Sequence, residues 1–128
     1  MAATDDDPTI ANTDALLRRI PPFHFIWDDN EKRKRPSSAA FENDDDGMSV
    51  SLASVLKDLN LDAAFVLEGH DGFALASITA ALAREHKQAL KRDPIVPSNP
   101  AHALVIGDKP KSTQRKFAKA AHWIIPPP

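Results

Sequence analysis

The clearest hydrophobic pattern lies in the last third of the chain, where a short apolar run is followed by an amphipathic segment. The run His102–Ile106 predicts a buried strand that ends at Gly107. A tight turn and a helix from a Ser112 cap to about Trp123 are predicted to follow. The predicted core positions of this helix are Phe117, Ala120, Ala121 and Ile124. Its basic face is predicted to carry Lys111, Arg115, Lys119 and His122.

In the middle of the chain, apolar residues recur at helical spacing after Ser51, which predicts a helix capped by that serine. The positions that form this stripe are Leu52, Val55, Leu56 and Leu59. The run Ala63–Leu67 predicts a buried strand. A second long helix is predicted over 76–90, with Ser77 as its cap.

The N-terminal part gives a weaker pattern. The segment Asp14–Ile20 fits a short helix or a first strand, and Pro21 and Pro22 end it. The aromatic run Phe23–Trp27 predicts a strand. Residues 28–43 read as a loop with a short extended piece at Ser38–Phe41, and Met48–Val50 is expected to be extended.

Helices and strands are interleaved, so the pattern predicts a single α+β domain, a small mixed sheet of about four to five short strands with about three helices packed on it. We expect residues 1–12 to form a disordered acidic tail, residues 13–125 the domain, and residues 126–128 a proline-rich end. A domain of this size buries only about two-thirds of its unfolded surface, so an oligomer or a partner would add stability.

The formal net charge of −2 hides an uneven distribution. Residues 1–50 carry eleven acidic against six basic side chains, and residues 51–128 carry seven against ten. Such an acidic front and basic back predict either a surface that faces a partner or two halves that attract each other.

Composition excludes several classes of site. The chain has no cysteine, which rules out disulfides, thiolate metal ligands and a thiol nucleophile. It shows neither a secretory signal pattern nor the roughly 18 apolar residues of a membrane span, so a cytoplasmic protein without membrane contact is expected. The five histidines lack metal-ligand spacing, and we expect neither a metal nor a cofactor.

Anion binding is the best-supported chemistry. The segment Gly107–Thr113 lies between a predicted strand and helix, where backbone N–H groups and the helix dipole favour an anion. Lys109, Lys111 and Ser112 would add charge and donors. The Walker spacing is absent, and an ordinary capped helix after a tight turn explains the same pattern.

The sequence therefore predicts a binding or accessory protein that engages an acidic protein partner or a phosphate-bearing ligand. The predicted binding residues are Lys109, Lys111, Ser112, Arg115, Lys119, His102, Arg35 and Ser38.

Two alternatives remain open from the sequence. One is a binder of the nucleic-acid backbone, because three basic elements could supply phosphate contacts. These elements are Lys32–Arg35, the stripe Arg84/Lys87/Lys91 and the stripe Lys111/Arg115/Lys119. The other is a small enzyme on a nucleotide-like substrate, which would use His102 with Arg18 or Arg19 and Ser38.

Overall fold

The computed structural model describes residues 6–44 and 46–128, and its centre is a six-stranded sheet. Within these residues the strands are β1 (Ala15–Ile20), β2 (Phe25–Asp28), β3 (Arg33–Pro36), β4 (Met48–Leu52), β5 (Ala74–Thr79), β6 (Ala89–Arg92), β7 (His102–Ile106) and β8 (His122–Ile125). The α-helices are α1 (Ala53–Asp58), α2 (Ala80–Glu85) and α3 (Lys111–Ala120). The sheet order is β6–β7–β4–β1–β5–β8, while β2 and β3 form a separate hairpin.

The protein is a small single-domain α+β fold with three helices, as the interleaved pattern predicted. The predicted four to five strands undercount the main sheet, which has six. The sheet is also antiparallel at every pairing, so the expectation of a mixed sheet was wrong.

Strand β1 shows why both faces of the sheet are buried. Leu16 and Ile20 belong to one apolar cluster, and Leu17 belongs to the other, as the two-residue period of a strand requires. The first cluster includes Phe41 and Phe117, whose rings meet edge to face with centroids 6.4 Å apart. The second is covered by α1 and by a 3-10 helix; its buried members are Leu17, Leu56, Val66, Leu75 and Ala101.

The long helix predicted over 76–90 is the largest error. This stretch contains most of β5, then α2, then the start of β6. Residues Ala74–Ile78 are all buried, because both faces of β5 are covered. Such a strand loses the alternation of polar and apolar residues that would identify it, so its apolar run merges with that of α2.

Local capping was also misassigned. Ser51 lies inside β4 and α1 begins only at Ala53, so Ser51 does not cap it. The run Ala63–Leu67 is a 3-10 helix whose cap, Asp62, accepts a hydrogen bond from the Phe65 N–H. The extended piece predicted at Ser38–Phe41 is a 3-10 helix as well.

The strand and the helix predicted in the last third of the chain are both present, but the predicted cap and some of the core residues are not. The strand His102–Ile106 is confirmed as β7, and a helix follows it as α3. Pro110 rather than Ser112 is the N-cap residue of α3. Phe117 is a core residue as predicted, whereas Ala120 is exposed and Ile124 belongs to β8 and is 44% exposed.

Residues 6–12, which composition assigned to a disordered tail, lie against β6 and α2. The Asp7 N–H donates to the Leu90 carbonyl at 2.8 Å, and the Leu90 N–H donates to Asp6 Oδ1 at 2.8 Å. Ile10 is 1% exposed and belongs to the main core. The remainder of the predicted tail, residues 1–5, lies outside the described residues.

Candidate functional site

A basic groove lies between the β2–β3 hairpin and α3. We name it the hairpin–helix groove and define it by six of its lining residues, Arg33, Arg35, Ser37, Arg115, Lys119 and Trp123. Its volume is about 660 Å³, within the usual range of ligand sites. It brings together the basic run of the hairpin and the basic face of the C-terminal helix, which are far apart in the chain.

Short-range contacts place the hairpin. Asp28 Oδ1 accepts hydrogen bonds from the N–H groups of Asn30 and Glu31, at 3.0 and 3.1 Å, and so closes the turn. Trp123 Nε1 donates to the Lys34 carbonyl at 3.1 Å, which fastens the hairpin to β8. The Trp123 ring also meets the Phe25 ring edge to face, with centroids 6.0 Å apart. The guanidinium groups of β3 are therefore held opposite α3.

The charges of the groove are unbalanced. Two carboxylates, Asp28 and Glu31, line it beside the four basic side chains. Asp28 Oδ2 lies 3.5 Å from Arg35 Nε, an exposed ion pair. Within residues 6–44 and 46–128, Arg33, Arg115 and Lys119 form no ion pair. The groove therefore has an excess of positive charge available to an anion.

Ser37 supplies a second, independent feature of the groove. Its hydroxyl oxygen is buried and makes no hydrogen bond within the described residues, although a buried hydroxyl normally has a partner. Ser38 follows it and also lines the groove. The Ser37 oxygen has almost no accessible surface, so its side chain would have to rotate toward the groove before the hydroxyl could donate to an anion there.

In the turn before α3, the predicted binding residue Lys109 forms its hydrogen bonds within the protein. Lys109 is 8% exposed, and its amine donates to the Val105 carbonyl at 2.8 Å, to the Gly107 carbonyl at 3.1 Å and to Asn43 Oδ1. Burial, together with the nearby charge of Arg18, lowers the pKa of Lys109 to about 8. This amine faces inward and does not reach the groove.

The other predicted residues of this turn are exposed. Lys111 Nζ donates to Gln114 Oε1 at 3.3 Å, and Ser112 makes no capping bond. The structure thus brings Arg35, Ser38, Arg115 and Lys119 to one groove, and leaves Lys109, Lys111 and Ser112 outside its lining.

A second opening lies on the main sheet, where β1 and β4 separate beyond the pair Leu17 and Ser51. The guanidinium group of Arg18 lies at the separation and donates to the carbonyls of Ser49 and Ala40, each at 2.9 Å. We name this opening the strand-split cavity. Its volume is about 490 Å³, and its lining includes Arg18, Arg19, Phe23, His24, His70 and His102.

His102 is buried at one side of the strand-split cavity. Its Nδ1 lies 2.9 Å from the Asp93 carbonyl oxygen and 3.1 Å from Asp93 Oδ2. Both oxygens are acceptors, so Nδ1 carries a proton. Across the ladder from His102, Ser51 Oγ accepts from Asn99 Nδ2 at 2.9 Å, and no hydrogen bond within the described residues joins Ser51 to His102.

The residues predicted for the enzyme alternative are divided between the two openings. Arg18, Arg19 and His102 line the strand-split cavity, whereas Ser38 lines the hairpin–helix groove. The serine is therefore not placed beside the histidine that would activate it.

One residue of the third basic element, Arg84, is paired with the acidic N-terminal segment. Arg84 Nε lies 3.1 Å from Asp6 Oδ2, and Arg84 Nη2 donates to the Asp7 carbonyl at 2.9 Å. Arg92 Nε lies 3.4 Å from Asp7 Oδ2. Part of the charge division seen in the sequence is thus an attraction between two parts of the same chain.

The predicted binding residues did not include Arg33, Ser37 and Trp123 of the groove, although Arg33 lies within the basic element Lys32–Arg35. Arg33 could have been found, because residues two apart on a strand share a face and Arg35 was already a candidate. No sequence signal marks the hydroxyl of Ser37 as lacking a partner. His70 was not among the predicted binding residues; it follows the 3-10 helix Ala63–Leu67 and lines the strand-split cavity.

Residues 6–44 and 46–128 contain no cluster of three histidine, aspartate or glutamate side chains that could hold a metal ion. No helix among them has the length and apolar character needed to span a membrane. Comparison with protein-family models, with curated proteins and with solved structures finds no match for this chain.

Proposed function

We propose that this protein is a binding module whose hairpin–helix groove takes an anionic group, phosphate or carboxylate, from a protein partner. The observation that carries the proposal is the convergence of four basic side chains, Arg33, Arg35, Arg115 and Lys119, in the lining of one groove that also includes Ser37 and Ser38. Guanidinium groups bind such anions through two parallel hydrogen bonds, and a serine hydroxyl adds a third donor.

The distribution of charge favours a local anion over an extended nucleic-acid backbone. Two of the three basic elements meet at the groove, while Arg84 in the third is held by Asp6 and Asp7. A duplex would need a longer continuous track of free cations. A phosphate group or a short acidic segment matches the size of the groove.

The test compares two double variants of α3. Arg115→Glu with Lys119→Glu reverses charges in the groove, and Lys111→Glu with Lys116→Glu makes the same change in charge outside its lining. All four side chains are exposed, so both variants are expected to fold. The probes are a phosphoserine peptide and a hexaglutamate peptide, titrated into isotope-labelled protein and followed by NMR.

We expect amide shifts at Ser37 and Arg115 in the wild-type protein, and binding at least about tenfold weaker in the groove variant than in the control. Equal weakening in both variants would reduce the effect to net charge and overturn the proposal. Absence of binding by either peptide, with tight and salt-dependent binding of duplex DNA, would favour the nucleic-acid alternative.

A further inference from the structure

Arg19 in the strand-split cavity has a half-buried guanidinium group with few partners. Its Nη1 lies 3.4 Å from the Val66 carbonyl oxygen and 3.4 Å from His70 Nδ1. His70 Nδ1 also lies 2.9 Å from the Glu68 carbonyl oxygen, which can only accept, so Nδ1 carries the proton of that bond. The histidine therefore cannot accept from Arg19, and within the described residues the remaining bond of Arg19 is the long one to the Val66 carbonyl.

The neighbouring Arg18 provides the contrast. Besides its two carbonyl acceptors, its guanidinium pairs with the Asp44 carboxylate at 2.9 Å. Burial would raise the pKa of Asp44, but hydrogen bonds from Arg18 and Ser49 and the charge of Arg18 outweigh it and lower that pKa. The positive charge of Arg18 is thus balanced by the Asp44 carboxylate. Arg19 forms no ion pair within the described residues, and the second carboxylate of the lining, Glu42, is exposed to solvent, so the Arg19 guanidinium has no carboxylate partner in the cavity.

Aromatic rings lie around the same opening. Phe23 is 80% exposed, and its ring meets the His24 ring with centroids 4.6 Å apart. Phe73 meets His70 in the same way at 5.2 Å. His24 Nδ1 is buried and has no hydrogen-bond partner within the described residues. An exposed phenyl ring beside an open cavity offers an apolar surface on which a flat ring can stack.

We infer that the strand-split cavity binds a small aromatic anion, with its carboxylate or phosphate group on Arg19 and its ring against Phe23. A cavity of about 490 Å³ is large enough for a ligand of this size. The anion supplies the acceptors that Arg19 lacks, and the ring covers the apolar surface that the protein leaves exposed. This site is separate from the hairpin–helix groove and does not depend on the function proposed for it.

The test is calorimetry on the full-length chain with probes that separate ring from charge. Adenosine 5′-monophosphate and indole-3-acetate carry both features, adenosine and indole carry the ring alone, and inorganic phosphate and acetate carry the charge alone. We expect at least one of the two aromatic anions to bind at least about tenfold more tightly than its ring-only and charge-only fragments. The tighter of the two identifies the anion as phosphate or carboxylate.

Variants then locate the binding. Arg19→Gln should weaken it at least about tenfold, because the charged donors are lost. Phe23→Ala should weaken it about fivefold through lost stacking. Lys111→Gln, at an exposed position outside the lining of both openings, should leave it unchanged and controls for the loss of one positive charge. Arg19→Lys, which keeps the charge and loses the paired donors, should give an intermediate affinity and serves if Arg19→Gln fails to fold.

Two outcomes would overturn the inference. One is that neither aromatic anion binds better than its fragments. The other is that Arg19→Gln, or Arg19→Lys in its place, binds the aromatic anion as tightly as the wild-type protein.

Discussion

The amine of Lys109 donates to the carbonyl oxygen of Val105, at 2.8 Å, inside the turn that joins β7 to α3. Lys109, which the sequence predicted to bind an anion, therefore forms hydrogen bonds inside the protein instead. Burial lowers its pKa from 10.5 to about 8, so the folded state holds its proton less strongly than the unfolded chain does.

The consequence is a pH-dependent stability. Between about pH 8 and 10.5 the unfolded chain binds more protons at Lys109 than the folded protein, so the free energy of unfolding should rise with pH across this window. Urea denaturation of the wild-type protein and of Lys109→Met measures it. The difference in stability between the two proteins should shift in favour of the wild type as pH rises; a constant difference would contradict this prediction.

Asp14 supplies a cap to α1 from another element. Its carboxylate accepts hydrogen bonds from the Ser54 N–H, at 3.0 Å, and from Ser54 Oγ, whereas the N-cap residue Leu52 offers no side-chain acceptor. We expect Asp14→Ala to lower the free energy of unfolding by about 1–3 kcal/mol, because a buried carboxylate acceptor is removed. The control Asp58→Ala, at an exposed position of α1, should change it by less than about 0.5 kcal/mol.

The side chain of Gln88 packs closely against Gly107. A Cβ atom at Gly107 would come within 2.8 Å of Gln88 Oε1, and the backbone φ there is +151°. The Gln88 side chain cannot easily move, because its Nε2 donates to the His86 and Asp108 carbonyls. We expect Gly107→Ala to destabilise the fold by about 1–3 kcal/mol through overpacking, in addition to any backbone strain.

The matched control for this prediction is Gly69→Ala, where φ is +77° and a Cβ meets nothing within 4 Å. It isolates the backbone strain, which is about 1–2 kcal/mol. Thermal denaturation should show the larger loss for Gly107→Ala. An equal loss of stability in the two variants would mean that the Gln88 side chain moves aside at no cost in free energy.

Ile10 tests whether the N-terminal segment is part of the core. It is 1% exposed, so Ile10→Ala should cost about 2–5 kcal/mol by leaving a cavity. Ile95→Ala, at a side chain that is 44% exposed, should cost much less. If both variants unfold at the same urea concentration as the wild type, residues 6–12 do not contribute to the stability of the domain.

The accuracy of the sequence predictions depended on how many faces of each segment are buried. The strand His102–Ile106 was found because a glycine ends it and a basic amphipathic segment follows. Strand β5 was missed because both of its faces are covered and its small residues suit a helix equally well. Strand β8 was absorbed into the predicted end of α3 for the lack of a glycine or proline between them.

The candidate groove was predictable in its components but not in its assembly. Arg35 and Ser38 were singled out by residue type, Arg115 and Lys119 by helical spacing as well, and all four line one groove. Their convergence depends on the bond from Trp123 to the Lys34 carbonyl, which joins distant parts of the chain. Lys109 shows the opposite case, since an internal acceptor such as the Val105 carbonyl has no signature in the sequence.

Residues of the N-terminal segment cover part of the outer edge of β6, where a strand of another copy of the protein could otherwise pair. Strand β6 is the outermost strand on its side of the sheet, and an uncovered outer strand is a template for pairing with another chain. Asp6 and Asp7 form hydrogen bonds with both backbone groups of Leu90, and their carboxylates pair with Arg84 and Arg92. The backbone groups of Leu90 are therefore not available for pairing with a strand of another chain while the N-terminal segment is in place.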